Sequence, residues 1–400
     1  MRIAVLGPSR FGLGEPHCGG LESHTATLAR GLHELGHHVV VFAGPRDAAH
    51  QLPVEVVPII ERPLPATTTA RLDTSTPAWF ARHETHGYLD ALDRVAAEFD
   101  VVHNNSLHAS VVDAELAAGF PPVVHVLHCP PFRLLEQAHR RLHQQRARRC
   151  VVAVSDNLAS AWGEIPTDTV HNGVDVDVWR PVSATTLRAS TGRCVWAGRI
   201  VAEKSPHLAI DAANSLGWQL TLAGPVQDQD YFDTEIAPRL SVDITWLGAL
   251  DARQLRRLYA NSNVGVLTPT WEEPFGLVAA EMLSCGLPIA ALDRGAIGEF
   301  TDPSVAVLTP GDSGQLAGAI RTAARLDRVA CRRFAVATLS LSVMLQRYIG
   351  LYQLLTTSRS DASPIPLPTA TPPAATVRQS RRSSIDSVLR PQTSDRCQSN

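Results

Sequence analysis

Lysine is nearly missing from this chain: of 36 basic side chains, only Lys204 is a lysine and the rest are arginine. Any task that needs a compact ammonium, able to donate in several directions where a guanidinium is a bulky fork, therefore falls to one position. Net charge is also small, at -3, which argues against bulk nucleic-acid binding. No apolar run approaches the roughly 20 residues that span a bilayer. No charged-then-apolar leader precedes the first apolar residues, which read as a short strand. The seven cysteines (Cys18, Cys129, Cys150, Cys194, Cys285, Cys331 and Cys397) are scattered, odd in number and without C-x-x-C spacing. A reduced, cytoplasmic protein is therefore expected. What the chain does have is 44% hydrophobic and 19% charged residues over 400 positions. That is enough for sizeable cores, and the length suits two domains.

The apolar pattern alternates between strand-like runs and helical spacing. Arg2 to Gly7 reads as a buried strand, followed by a glycine-rich loop to Gly20. Leu21, Leu28, Leu32 and Leu35 then mark a helix that stops at Gly36, before a strand over His37 to Ala43. Further strands are expected at Val101–Val102, Pro122–His128 and Val151–Ser155. The segment from Asn172 to about Thr186, with Trp179-Arg180-Pro181, breaks the pattern as a linker. The alternation then restarts with strands at Cys194–Ala197, Gln219–Ala223, Asp243–Leu247, Val264–Leu267, Pro288–Leu292 and Val305–Leu308. One helix between them carries Leu255, Leu258 and Tyr259 behind a cap at Asp251.

The fold class is therefore α/β, with two Rossmann-like, doubly wound domains facing a central cleft. The expected boundaries are 1–178 and 186–345, then a terminal helix at 346–357. A Ser-, Thr-, Pro- and Arg-rich tail at 358–400 is expected to be disordered.

Three segments carry chemistry. In Trp271-Glu272-Glu273-Pro274-Phe275-Gly276-Leu277, continuing to Glu281, a strand gives way to a helix. N–H groups around Phe275, Gly276 and Leu277 would face the cleft with the positive end of the helix dipole, a ready phosphate site. Glu273 and Glu281 would be separated by about 12 Å or less at about 1.5 Å per residue. A carboxylate accepts naturally from paired ribose hydroxyls, which suits Glu281 to a ribose and places Glu273 near a donor sugar. The plainer alternative is a capped helix with two surface acids. The second segment, Ala197-Gly198-Arg199 to Lys204, offers two cations to one anion, the alternative being a solvated surface loop. The third, Cys18-Gly19-Gly20-Leu21-Glu22, lets backbone approach a ligand at a helix start. Gly7, Gly12 and Gly14 do not form G-x-G-x-x-G, so a dehydrogenase fingerprint is lacking.

Taken in order, these pieces resemble glycosyltransferase family 4, the retaining GT-B enzymes, over about residues 1–355. The resemblance rests on G-G-x-E at Gly19, Gly20 and Glu22, on His128 of Val126-Leu127-His128-Cys129-Pro130-Pro131, and on the Val154-Ser155 strand end. It continues through Asn172-Gly173-Val174-Asp175, G-R-x4-K at Arg199 and Lys204, Leu222-Ala223-Gly224-Pro225, and E-x7-E at Glu273 and Glu281.

The resemblance implies a transferase that moves a hexose-type sugar from a nucleotide-diphosphate donor, a UDP-sugar favoured, to an acceptor hydroxyl with retention. No metal or other cofactor is implied. Glu281 would hold the ribose, Arg199 and Lys204 the diphosphate, and Glu273 and His128 the transferred sugar. Gly19 and Gly20 would close over the phosphates, with Gly224, Phe275, Gly276 and Leu277 also at the donor. The base would lie against backbone near Trp246-Leu247-Gly248. The acceptor is left open among a glycan, a lipid-linked sugar and a small molecule. A nucleotide-sugar epimerase or hydrolase of the same fold is the alternative chemistry, and a non-catalytic nucleotide-sugar-binding protein is the other.

Other features compete for attention. Asp175-Val176-Asp177 is a D-x-D, read here as linker rather than metal site. His139 and His143 sit one helical turn apart without a third ligand. Arg133, Arg140, Arg141, Arg146, Arg148 and Arg149 make that helix basic, a solvated face or a peripheral contact with an anionic inner-membrane surface. His103 and His108 are expected at a strand end facing the cleft, in contact with donor or acceptor or bonded within their loop.

Overall fold

The computed structural model describes residues 1–45, 52–60, 78–145, 149–183, 192–311 and 313–357. Arg146, Arg148, the linker end near Thr186, Cys397 and the tail 358–400 lie outside the described residues.

The first sheet contains β1 (Arg2–Leu6), β2 (His38–Ala43), β3 (Glu55–Pro58), β4 (Val101–Asn104), β5 (Val123–Leu127), β6 (Cys150–Ala153) and β7 (Asp168–Thr169). Their order is β3-β2-β1-β4-β5-β6-β7, and every neighbouring pair is parallel. Around it run α1 (Gly20–Glu34), α2 (Ala78–Glu98), α3 (Ala109–Ala114), α4 (Arg133–Gln145) and α5 (Asp156–Ala161). Ile3 to Leu6 are fully buried, as a strand covered by helices on both faces requires.

The second sheet repeats the design with β8 (Arg193–Ala197), β9 (Gln219–Ala223), β10 (Ile244–Trp246), β11 (Val264–Leu267), β12 (Ile289–Leu292) and β13 (Ala306–Thr309), ordered β10-β9-β8-β11-β12-β13. Its pairs are parallel throughout. With it go α6 (Pro206–Leu216), α7 (Gln229–Tyr231), α8 (Ala252–Ala260), α9 (Leu277–Ser284), α10 (Ile297–Phe300), α11 (Ser313–Ala323), α12 (Arg328–Thr338) and α13 (Leu341–Thr357). Asp251 caps α8 as expected, in a reciprocal capping box with Gln254.

In both sheets the strand order reverses at the first strand, between β1 and β4 and again between β8 and β11. Ligands of doubly wound sheets sit outside the carboxyl ends at such a reversal. The loops that leave there, from Gly7 to Gly20 and from Gly198 to Lys204, are the ones singled out in the sequence.

Two features were not legible beforehand. β3 and β7 are short additions to the sheet edges. The last helix starts at Leu341 rather than at 346, and it returns to pack on α1 and β4 of the first sheet. The two crossings run side by side: Val174 N donates to the Leu339 carbonyl (2.9 Å) and Leu341 N to that of Val174 (2.8 Å).

Candidate active site

A cavity of about 370 Å³ lies between the carboxyl ends of the two sheets, within the size range of small-molecule sites. Its second-sheet wall begins where β8 ends. Gly224, at a φ of 145°, packs on Gly198 so closely that a Cβ would strike the Gly198 carbonyl. Only glycine allows the loops after β8 and β9 to touch in this way. The loop then runs to Lys204, whose carbonyl accepts from Thr268 Oγ1 at 2.8 Å, while Trp196 Nε1 donates to that hydroxyl at 3.0 Å. The buried indole thus anchors the backbone that carries the lysine.

Lys204 Nζ donates to Glu273 Oε2 and lies 5.2 Å above the Trp271 ring. Trp271 Nε1 donates to the same carboxylate oxygen at 3.0 Å. The Glu273 carbonyl accepts from Ala296 N at 2.9 Å. Arg199 donates to Gln227 and pairs with Glu203 at 3.5 Å. The cations and Glu273 were expected on different parts of a donor; in the structure Lys204 and Glu273 already meet.

Beyond Glu273 the chain enters α9 through Gly276, at a φ of 92°, with no side chain capping the helix. The first-turn N–H groups stay unclaimed by side chains. Opposite, α1 begins at Gly20 behind the N-cap Gly19, also with no side-chain cap. A Cβ on Gly20 would be 3.4 Å from Leu277 Cδ1, so the two helix starts meet at the cavity. Each carries roughly half a positive charge, and together with Arg199 and Lys204 they make this end strongly favourable to an anion.

Glu281, one helical turn deeper in α9, is 8% exposed. Burial, aided by the nearby Glu15, pushes its carboxyl up to about 8. Beside it the Tyr259 hydroxyl is buried and has no partner among the described residues. The same holds for Asn172 Oδ1 and for both ring nitrogens of His24. All of these side chains line the cavity. Buried polar groups without partners cost about 1–3 kcal/mol each, and a polar ligand in this space would relieve that cost.

The first-sheet wall is carried by α1, whose Gly20, Ser23, His24, Thr27 and Arg30 line the cavity at helical spacing, together with His128 after β5. His24 packs edge-on to His128 at 4.9 Å between ring centroids. Burial lowers His24 to about 4. It also holds His128 well below the usual range, with His24 and His103 reinforcing the effect. Both imidazoles are neutral at physiological pH. Glu22 is buried in α1 and raised by that burial, with Arg199 pulling the other way.

The cavity wall includes His128, Glu273, Arg199, Lys204, Gly19, Gly20, Gly224, Phe275, Gly276, Leu277 and Glu281. Leu247 is a correction. It is 52% exposed and outside the wall, because β10 ends at Trp246 and Gly248 (φ 72°) turns the chain. Ala249, Leu250 and Asp251 take that place. His103 and His108 follow the second of their two readings and bond within their own loop. His103 is fully buried behind Asn105. His108 stacks on Tyr88 at 4.7 Å and caps α3. Sequence reasoning missed His24, Tyr259 and Arg30; the i, i+3, i+4 spacing of Gly20, Ser23 and His24 was the available signal for the first.

The competing features have plain structural roles. Asp175 Oδ1 accepts from the N–H groups of Asp177 (2.9 Å) and Val178 (3.1 Å), closing a turn. His139 is buried between His125 and Trp162, whereas His143 is exposed. Arg140 pairs with Glu136 and Glu164, and Arg141 with Asp113, so much of the charge on α4 is balanced locally. Among the described residues, no helix is long and apolar enough to cross a membrane, and no group of three or more His, Cys, Asp or Glu could hold a metal ion.

Comparison with known proteins matches residues 18–178 to the model described as Glycosyltransferase Family 4 and residues 190–335 to Glycosyl transferases group 1. Glycogen synthase of Mycobacterium tuberculosis is 30% identical over 183 residues, 43% of this chain and 44% of that protein. The match thus spans less than half of that relative's length. D-inositol 3-phosphate glycosyltransferase of Mycobacterium avium is 28% identical over 345 residues, covering 74% of this chain and 78% of the relative. Among solved structures, sucrose-phosphate synthase from Thermosynechococcus elongatus superposes with a TM-score of 0.72 at 19% identity, covering 90% of this chain and all of that one. Anabaena HepE in complex with UDP-glucose does so with a TM-score of 0.66 at 21% identity, covering 88% and 99%. These neighbours establish the GT-B arrangement of two facing α/β domains.

Proposed function

Given that this chain belongs to glycosyltransferase family 4, we propose that it transfers a hexose from a nucleotide-diphosphate donor to an acceptor hydroxyl, with retention and without a metal ion. One observation carries the reading. Arg199, Lys204, two uncapped helix starts, Glu273, Glu281 and His128 all face one cavity. In that cavity Glu281 accepts from the ribose hydroxyls. The diphosphate lies across Arg199, Lys204 and the starts of α1 and α9. The sugar sits between Glu273 and His128.

In the reaction the bond from the anomeric carbon to the diphosphate oxygen breaks, and a bond to the acceptor oxygen forms on the same face. The acceptor's proton passes to the departing diphosphate. Negative charge grows on that leaving group, where preorganised donors act most strongly; removing one such donor typically lowers kcat by about 10²–10³. Glu273, committed to Lys204 and Trp271, is suited to orient sugar hydroxyls rather than to attack. Retention is what the family resemblance implies. A UDP-sugar is the favoured donor because a structural neighbour is held with UDP-glucose.

The acceptor meets a polar wall of Ser23, His24, Thr27 and Arg30, which suits a hydroxyl-rich molecule, whether small, lipid-linked or the end of a glycan. Membrane docking forms no part of this function, since Arg140 and Arg141 of α4 pair with nearby acids.

The test is to incubate the protein with UDP-, GDP- and ADP-hexoses and a panel of polyol acceptors. NMR then reads the anomeric configuration of the product. An inverted product would remove the retention claim. Free hexose without transfer would favour the hydrolase alternative.

A further inference from the structure

A line of hydrogen-bonded side chains joins the last helix to His128. Tyr352 Oη of α13 is 2.7 Å from His103 Nδ1. His103 Nε2 is 3.1 Å from Asn105 Oδ1, and His128 Nε2 is 2.8 Å from the same oxygen. Asn105 Nδ2 donates to Thr25 Oγ1 at 3.4 Å. Tyr352, His103 and Asn105 are fully buried, so each polar atom needs a partner.

The direction of this line follows from the phenol. Among the described residues Tyr352 Oη has no partner besides His103, so its proton goes to Nδ1, which must carry a lone pair. Burial holds His103 down to about 3, so the ring is neutral and its proton is on Nε2. That N–H donates to Asn105 Oδ1, which fixes the amide with its nitrogen towards Thr25. The same oxygen, with two lone pairs, accepts from His128 Nε2–H. His128 is neutral as well, which leaves Nδ1 as a bare acceptor on a ring that lines the cavity.

We propose that Tyr352 and His103 are positioning residues that fix His128 in its Nε2–H tautomer, so that Nδ1 accepts a hydrogen bond from a hydroxyl of the transferred sugar. The proposal rests on the reading of His128 as a sugar-contacting residue. It makes α13, which follows the second domain in sequence, part of the catalytic arrangement as well as a structural clasp. A histidine tautomer is set by the bond its other nitrogen makes, and here that control begins 249 residues away from His103 in the chain.

The experiment is a long-range ¹H–¹⁵N spectrum of the full chain labelled at histidine, in wild type and in Tyr352→Phe, with His128→Gln identifying the His128 signals. Wild-type His128 should show a protonated Nε2 and a bare Nδ1. In Tyr352→Phe, whose ring still fills the same space, the two tautomers should mix. Its kcat should fall about two- to tenfold, in proportion to the lost competent fraction, with donor KM unchanged. A wild-type His128 protonated on Nδ1 overturns the proposal, whatever Tyr352→Phe does. A Tyr352→Phe protein with His128 still wholly Nε2–H and full kcat overturns it too, while leaving the glycosyltransferase reading intact. The proposed tautomer in a protein that neither binds nor turns over any nucleotide-sugar would instead sink the reading on which the sugar contact depends.

Discussion

Replacing Glu281 with Gln keeps the shape of the side chain and removes its titration. In the folded protein burial lifts this carboxyl to about 8, against an ordinary value near 4.5 in the unfolded chain. Between those limits the folded state holds a proton that the unfolded state has lost. The resulting stability is fully present below about pH 4.5 and is lost as pH rises through about 8, at about 1.4 kcal/mol per unit. Glu281→Gln should have no such slope.

Donor binding shows the opposite trend. A carboxylate accepting from the ribose makes charge-assisted bonds worth about 1.5–3 kcal/mol each. Gln keeps one oxygen acceptor and so loses about one such bond. Above pH 8 the variant should therefore bind UDP-glucose about 10–150-fold more weakly. At pH 7 the wild type must first release its proton, at about 1.4 kcal/mol, and the gap shrinks to about tenfold or less. Calorimetric titration of both proteins at pH 7, 7.5, 8 and 8.5 measures this. A ratio of affinities near one and flat across the range would refute the ribose role of Glu281.

Lys204→Met should lower kcat by about 10²-fold or more. It should also leave Glu273 without its cation, and Lys204→Arg should restore little because the guanidinium is bulkier; steady-state rates check both. Leu247→Ala should change kcat/KM by less than about twofold, as befits a surface substitution away from the cavity; a loss of tenfold would return that residue to the base site. Transfer should survive EDTA unchanged, and a complete loss reversed by added divalent metal would overturn the metal-free reading.

Most of the scaffold was legible because each buried parallel strand is a dense apolar run and each crossover helix carries its own spacing. The edges were less so. β3 and β7 bury little, and a two-residue strand such as Asp168–Thr169 leaves no periodic trace. Within the site, glycines and charged residues beside strand ends were visible because special backbone and bare charge are properties of single positions. Leu247 went astray because one residue at the end of an edge strand decides which way a side chain points. The Lys204–Glu273 pair and the Tyr352–His103–Asn105–His128 line join residues far apart in the chain. No local pattern encodes such pairings: the first arises because β8 and β11 lie side by side, the second because α13 returns to pack on β4. His24 was hidden for another reason: a histidine among apolar helix positions looks like core until its nitrogens are seen to lack partners.

The most direct measurement is calorimetric binding of UDP-, GDP- and ADP-glucose to the wild type and to a protein carrying Arg199→Ala and Lys204→Ala. One of the three donors should bind the wild type. The double variant should then bind it at least about 100-fold more weakly, as the loss of two charge-assisted contacts to the diphosphate requires. Equal affinity for both proteins, or no binding of any nucleotide-sugar to the wild type, would contradict a cavity built around a diphosphate.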